Sequence, residues 1–113
     1  MEYCEAMRGE ERRCRETETH ESLSMKSIVW IDYLIFRAQQ RDFDLTELEY
    51  IIRYGAERYV DNQTLRRIVI GRCGHLLVLI AYEEDDTAIT PVTVHPVTRP
   101  QITTRVRTGR FML

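Results

Sequence analysis

Apolar positions after Met25 come first as a short β-branched run, then at helical spacing, then in alternation. That change of period divides the chain into seven elements. Ile28-Val29-Trp30-Ile31 predicts a first strand. Residues 33–41 predict a helix, with Tyr33 and Arg37 on one face and Leu34 and Ala38 on another. Asp44-Leu45-Thr46-Glu47 has the form of a capping box, the Asp44 carboxylate accepting from an N–H near Glu47. The helix it opens carries Leu45, Leu48 and Ile52 on one stripe, flanked by Ile51. Gly55 is placed to end it in the left-handed conformation that glycine adopts without strain.

Three strands are expected next. Leu65 to Gly71 is followed by a tight connection at Gly71-Arg72-Cys73-Gly74. Leu76 to Ile80 is apolar at every position and so belongs in the middle of a sheet covered on both faces. The acidic loop Glu83-Glu84-Asp85-Asp86 leads to Ala88–His95, where Pro91 demands a sheet edge or a bulge. Thr98-Arg99-Pro100-Gln101 repeats the capping-box pattern, opening a final helix through about Thr108 that stops at Gly109. The expected fold is α+β: an antiparallel sheet in β-α-α-β-β-β-α order, two helices on one face, Leu76–Ile80 central. Leu48, Ile52, Val78 and Ile80 should be buried.

At 113 residues the chain is read as one domain, residues 25–113, behind a leader. Residues 1–24 hold seven acids and four arginines without apolar periodicity, so they read as a dispensable leader, disordered or a frayed helix. They lack the apolar core of a signal peptide, and no stretch has the ~20 apolar residues of a membrane span. The reading is a cytoplasmic protein with no membrane partner. Cys4, Cys14 and Cys73 form no paired pattern, so neither a disulfide framework nor a metal site is expected, and no cofactor is called for.

The net charge of −2 hides a basic end: from Val94 to Leu113 there are four arginines and no acid. His95 ends the last strand and Arg99 begins the last helix, whose unpaired N–H groups favour phosphate. Metal-free RNA cleavage needs proton transfer and cations on the developing phosphorane. His95 is the candidate for the first, Arg99 with Arg105 for the second. A strand-terminal histidine that only satisfies backbone groups is the open alternative. Arg37 and Arg41, one helical turn apart, are either a solvated face or a groove contact. Arg58 is either a phosphate ligand reaching the sheet surface or the partner of a carboxylate. Of Arg66 and Arg67 only one can face a given partner. Tyr82 should lie at the opposite edge from His95, over the core rim with its hydroxyl in water.

Three groups of short motifs run through the body from Ile28 to Phe111. The first is Tyr33-Leu34-Ile35-Phe36-Arg37-Ala38-Gln39-Gln40-Arg41-Asp42-Phe43. The second is Glu57-Arg58-Tyr59-Val60-Asp61 with Ile70-Gly71-Arg72 and Ala81-Tyr82-Glu83. The third is Ile89-Thr90-Pro91-Val92-Thr93-Val94-His95 with Thr98-Arg99 and Gly109-Arg110-Phe111. On these motifs the body resembles small bacterial proteins of unknown function in the RelE/ParE toxin superfamily, close to the BrnT ribonuclease toxins, whose first helix reads His-Ala-x-x-Arg-x-x-x-Arg-Gly-Ile. The resemblance implies a RelE-like fold and an endoribonuclease toxin acting on RNA, neutralised by a small antitoxin protein over the basic face. It transfers Arg37, Arg41 and Arg99 as site positions, and Tyr33 departs from it where the family has histidine. The alternative is a non-catalytic module of the same fold binding RNA or protein, with homo-oligomer formation open in either case. A toxin gene should sit beside a small antitoxin gene and arrest growth when expressed alone.

Overall fold

A computed structural model describes residues 26–113; the expectations for the leader, Cys4 and Cys14 fall outside them. Strand β1 (Ser27–Ile28) is followed by helices α1 (Asp32–Gln40) and α2 (Leu45–Tyr54). Strands β2 (Glu57–Asp61), β3 (Arg67–Cys73), β4 (Leu76–Glu84) and β5 (Ala88–Pro96) come next. Helix α3 (Arg99–Arg107) and strand β6 (Phe111–Met112) complete the described chain. The sheet has six strands in the order β1-β5-β4-β3-β2-β6.

The fold is α+β, but the sheet is mixed rather than antiparallel throughout. β1 runs parallel to β5, pairing Ser27 with Ala88 and Ile28 with Ile89, while the remaining pairs are antiparallel. Two strands were missed. Glu57–Asp61 is charged at three of its five positions and has neither an apolar run nor an apolar/polar alternation, and Phe111–Met112 is too short for its period to show. The first strand is shorter than expected because the chain turns into α1 after Ile31. β3 runs on through Cys73, so the tight connection is Gly74-His75, with Cys73 paired to Leu76 and Gly74 at φ 64°. Glu83 and Glu84 belong to β4, opposite Thr90 and Ile89, which confines the acidic turn to the residues beyond them.

Alternation along the strands splits the interior into two cores. On one face Val69, Val78, Ile80, Tyr82, Ile89 and Val94 meet Leu34 and Ala38 of α1 and Leu48, Ile51 and Ile52 of α2. On the other, Ile68, Ile70, Leu79 and Ala81 lie under Val97, Ile102 and Phe111. Both faces of Leu76–Ile80 are therefore used, and β4 is interior as its composition requires. Leu48, Ile52, Val78 and Ile80 are all buried. Pro91 falls at a bulge: Ala81 pairs with Thr93 and Tyr82 with Pro91, leaving Val92 extra. Pro91 also lies beyond the two residues that β1 covers.

The helix ends follow local chemistry. Asp44 caps α2 by accepting from Thr46 N–H at 2.8 Å; Glu47 instead accepts from the Cys73 thiol at 3.1 Å. Thr98 and Gln101 form the full reciprocal box at α3, at 3.3 and 2.9 Å. Gly109, at φ 86°, ends α3 as expected. Gly55 ends α2 for a different reason than the expected left-handed turn. Its φ is −62°, and a Cβ there would stand 2.6 Å from the Ile51 carbonyl oxygen and 2.8 Å from Val69 Cγ2. Close approach, not conformational freedom, demands glycine.

Candidate functional site

The face that carries α3 is where the chemistry gathers. Cross-strand pairing puts Glu57, Ile70, Leu79 and His95 in one row, and Tyr59, Ile68, Ala81 and Thr93 in the next. β6 and the Gly109 turn then bring Arg110 and Phe111 to the edge beside β2. The result is a groove of about 190 Å³ floored by Ile68, Leu79, Ala81 and Thr93. Its polar rim is His95, Arg66, Arg105, Arg110, Thr64 and Asp61.

Each rim residue has a defined setting. Arg110 holds Asp61 bidentately, Nε to Oδ1 at 3.2 Å and Nη2 to Oδ2 at 3.1 Å, and Gln63 N–H adds a bond at 2.9 Å. Burial alone would raise the Asp61 carboxyl, but these donors hold it below its ordinary value. Arg66 donates to Glu83 at 3.1 Å in an exposed pair, whereas Arg67 turns to Glu84, as the alternation of neighbouring strand residues requires. Arg105 lies over the Phe111 ring, 5.6 Å from its centroid, and has no carboxylate partner among the described residues. Its charge is unneutralised at the groove wall.

His95 Nδ1 is 3.0 Å from the Pro96 carbonyl oxygen. A carbonyl only accepts, so in the neutral ring this contact places the proton on Nδ1 and leaves the lone pair on Nε2. His95 also lines a second cavity, of about 220 Å³, with Tyr33, Leu34 and Arg37 of α1 and with Thr93 and Val94. It is the residue that the two concavities share, along with Thr93.

Not all the residues singled out in the sequence arrive here. His95 and Arg105 meet at the groove, and Arg37 joins His95 at the second cavity. Arg99 does not join them. Its Nη1 donates to Glu57 Oε2 at 2.6 Å, and Glu57 stands three strand spacings from His95, roughly 14 Å along the row. That bond holds the Glu57 carboxyl below its usual range. Arg58 lies on the opposite face, pairing across the ladder with Val69 of the α1–α2 core. It donates to the carbonyls of Gly55 and Ile52 at 2.8 and 2.5 Å and to the Tyr82 hydroxyl at 2.9 Å, so it caps α2. The Tyr82 hydroxyl is consequently bonded to Arg58 inside the core rather than resting in water. Arg41 is exposed at the end of α1 and lines neither concavity. Arg66 and Arg110 were missed as site residues. Strand alternation from Ile68 would have placed Arg66 on this face, but nothing in the sequence announced β6.

Cys73 is buried, and burial pushes its thiol up to about 11, so it is a packing residue and not a nucleophile. Among the described residues no group of three or more His, Cys, Asp or Glu is arranged to hold a metal ion. Nor, among them, is any helix long and apolar enough to cross a membrane. Comparison with protein-family models, with curated proteins and with solved structures returns no match.

The Asp61–Arg110 clamp has a consequence for acid stability. A carboxyl depressed in the folded state stabilises it above the unfolded value of about 3.9, and that contribution is lost as pH falls through the folded value. Asp61→Asn removes the charge and keeps the shape. Its urea midpoint should fall below wild type near neutrality, and the gap should close as pH drops well below the ordinary carboxylate range. A gap of constant size would mean the clamp contributes shape alone.

Proposed function

We propose that the protein binds RNA in the groove over β3–β5 and cleaves it without a metal ion, as the toxin of a toxin–antitoxin pair. The observation that carries this reading is one imidazole and three guanidinium groups facing a single groove whose one buried acid among the described residues is already neutralised by Arg110. The likeness of the chain to RelE/ParE-type toxins supports it, and a small antitoxin would then cover the same basic face.

In this mechanism Arg66 exchanges its exposed Glu83 partner for a phosphate oxygen, while Arg110 stays on Asp61 and offers the phosphate its remaining N–H groups. His95 Nε2 takes the proton of the 2′-hydroxyl as the 2′ oxygen attacks phosphorus. The bond to the 5′ oxygen breaks, that oxygen is protonated by the imidazolium or by water, and a 2′,3′-cyclic phosphate remains. Arg105 stabilises the charge that builds on the phosphorane, the role that Arg99 cannot fill while Glu57 holds it. A second reading, a binding module without catalysis, is favoured by the fact that His95 is the only imidazole lining the groove among the described residues.

Incubating the purified protein with RNA in EDTA separates the two. Toxin chemistry gives fragments ending in cyclic phosphate, an RNA-binding module gives complex without product, and failure to bind RNA at low salt overturns both and leaves only a module that binds protein. Binding through the groove must also weaken with salt, because each neutralised phosphate releases counterion. Arg105→Ala should weaken binding regardless of sequence and reduce the salt slope by about 1. An unchanged slope would remove Arg105 from the phosphate path.

A further inference from the structure

Beside the groove, the second cavity has features that phosphate binding does not use. β1 covers β5 only at Ala88 and Ile89, so further along β5 no strand lies on that edge. Pro91 and Pro96 bracket the uncovered stretch and lack N–H groups, which suits it poorly to strand addition. α1 lies alongside, and between them is the cavity of about 220 Å³. Leu34 and Val94 give it apolar walls. Thr93 and His95 bring polar atoms, and Tyr33, 55% exposed in the first turn of α1, brings an aromatic ring that no core residue needs. Arg37, one helical turn on, donates to the neutral Gln40 amide at 3.1 Å, so its positive charge is not cancelled by that contact.

Resting on the RNA reading of the adjoining groove, we propose that this cavity is a nucleobase subsite: it takes one unpaired base against Tyr33, and the substrate is single-stranded RNA. An aromatic ring, apolar walls, a few hydrogen-bonding groups and an uncompensated guanidinium match what an unstacked nucleotide presents. His95 lines both concavities, so a strand whose phosphates lie in the groove delivers the neighbouring base to the cavity at the reacting imidazole. In a duplex the bases are paired and stacked inside the helix, and none is free to enter. Tyr33 therefore contributes affinity and selects strandedness, while the groove arginines contribute charge.

The test measures binding of a single-stranded RNA, its duplex and an abasic strand of equal length to wild type, Tyr33→Ala, Tyr33→Leu and Tyr33→Phe. Loss of one stacked base weakens binding by about 5- to 150-fold. That loss is expected for the single strand with alanine and with leucine, which keeps bulk but has no ring. Phenylalanine should bind as wild type does, the abasic strand should bind all four proteins alike, and the duplex should bind wild type more weakly than the single strand. The salt slope should not change, since no phosphate contact is removed. Equal binding of the single strand to wild type and to both ringless variants would overturn the subsite and leave the groove reading standing, as would equal affinity for abasic and base-bearing strands. Failure of wild type to bind any of them at low salt would overturn the groove reading, and the subsite with it.

Discussion

His95→Ala is expected to lower the rate of RNA cleavage by about 100- to 10,000-fold, the usual cost of removing one acid–base group. Affinity for RNA should change little, because the phosphate grip comes from Arg66, Arg105 and Arg110 around the groove. The separation follows from what the ring is bonded to. Among the described residues its one hydrogen-bonding contact is to the Pro96 carbonyl through Nδ1, which leaves Nε2 to the substrate. Half-exposed at the end of β5, His95 supports little of either core, and alanine there should fold normally. Single-turnover cleavage measured beside equilibrium binding gives both numbers from one preparation. Equal cleavage in the variant would remove His95 from the mechanism, and a parallel collapse of binding would make it a contact residue.

Much of the fold was legible because its signals are local. Both N-caps, the glycine stop at Gly109, the doubly apolar Leu76–Ile80 and the proline that demands a bulge are each written in a few adjacent residues. What was not legible depends on distant pairing. The parallel β1–β5 contact joins residues about sixty positions apart and leaves no mark on either strand's period. β2 hides because its residues alternate Glu57, Tyr59 and Asp61 toward the α3 face with Arg58 and Val60 away from it, a pattern with little apolar contrast. The same blindness affected the site. Arg99 follows His95 closely in sequence, yet it binds the Glu57 carboxylate, which stands three strands away from His95 and is brought near Arg99 only by the fold. Arg58 reads as a phosphate ligand or a carboxylate's partner until the α2 carbonyls it caps are seen. A charge in a sequence shows that a cation is present, and only the sheet shows which anion already holds it.

The largest stability effect is expected from Ile52→Ala, at about 2–5 kcal/mol, the range for emptying an aliphatic side chain from a rigid core. Ile52 is 0% exposed and sits where α2 presses on the sheet, in one cluster with Leu48, Val69, Val78 and Ile80. The site cannot easily collapse into the space. Gly55 already brings the end of the helix against Val69, and Arg58 ties the Ile52 carbonyl to the Tyr82 hydroxyl. A domain of this size has roughly 5–15 kcal/mol in total, so the loss is a large share of it. Thermal midpoint should fall by about 8 °C or more. Ile52→Val, which removes one methylene, should cost only about 0.5–1.5 kcal/mol. Tyr50→Ala on the exposed side of the same helix loses the contact with the Tyr54 ring and should cost about 0.5–1.5 kcal/mol. Because α2 and the groove lie on opposite faces of the sheet, RNA binding by Ile52→Ala well below its midpoint should match wild type. A loss under about 1 kcal/mol would mean that α2 is not packed as described. Lost binding in the folded variant would show that the groove depends on the α2 face for its shape.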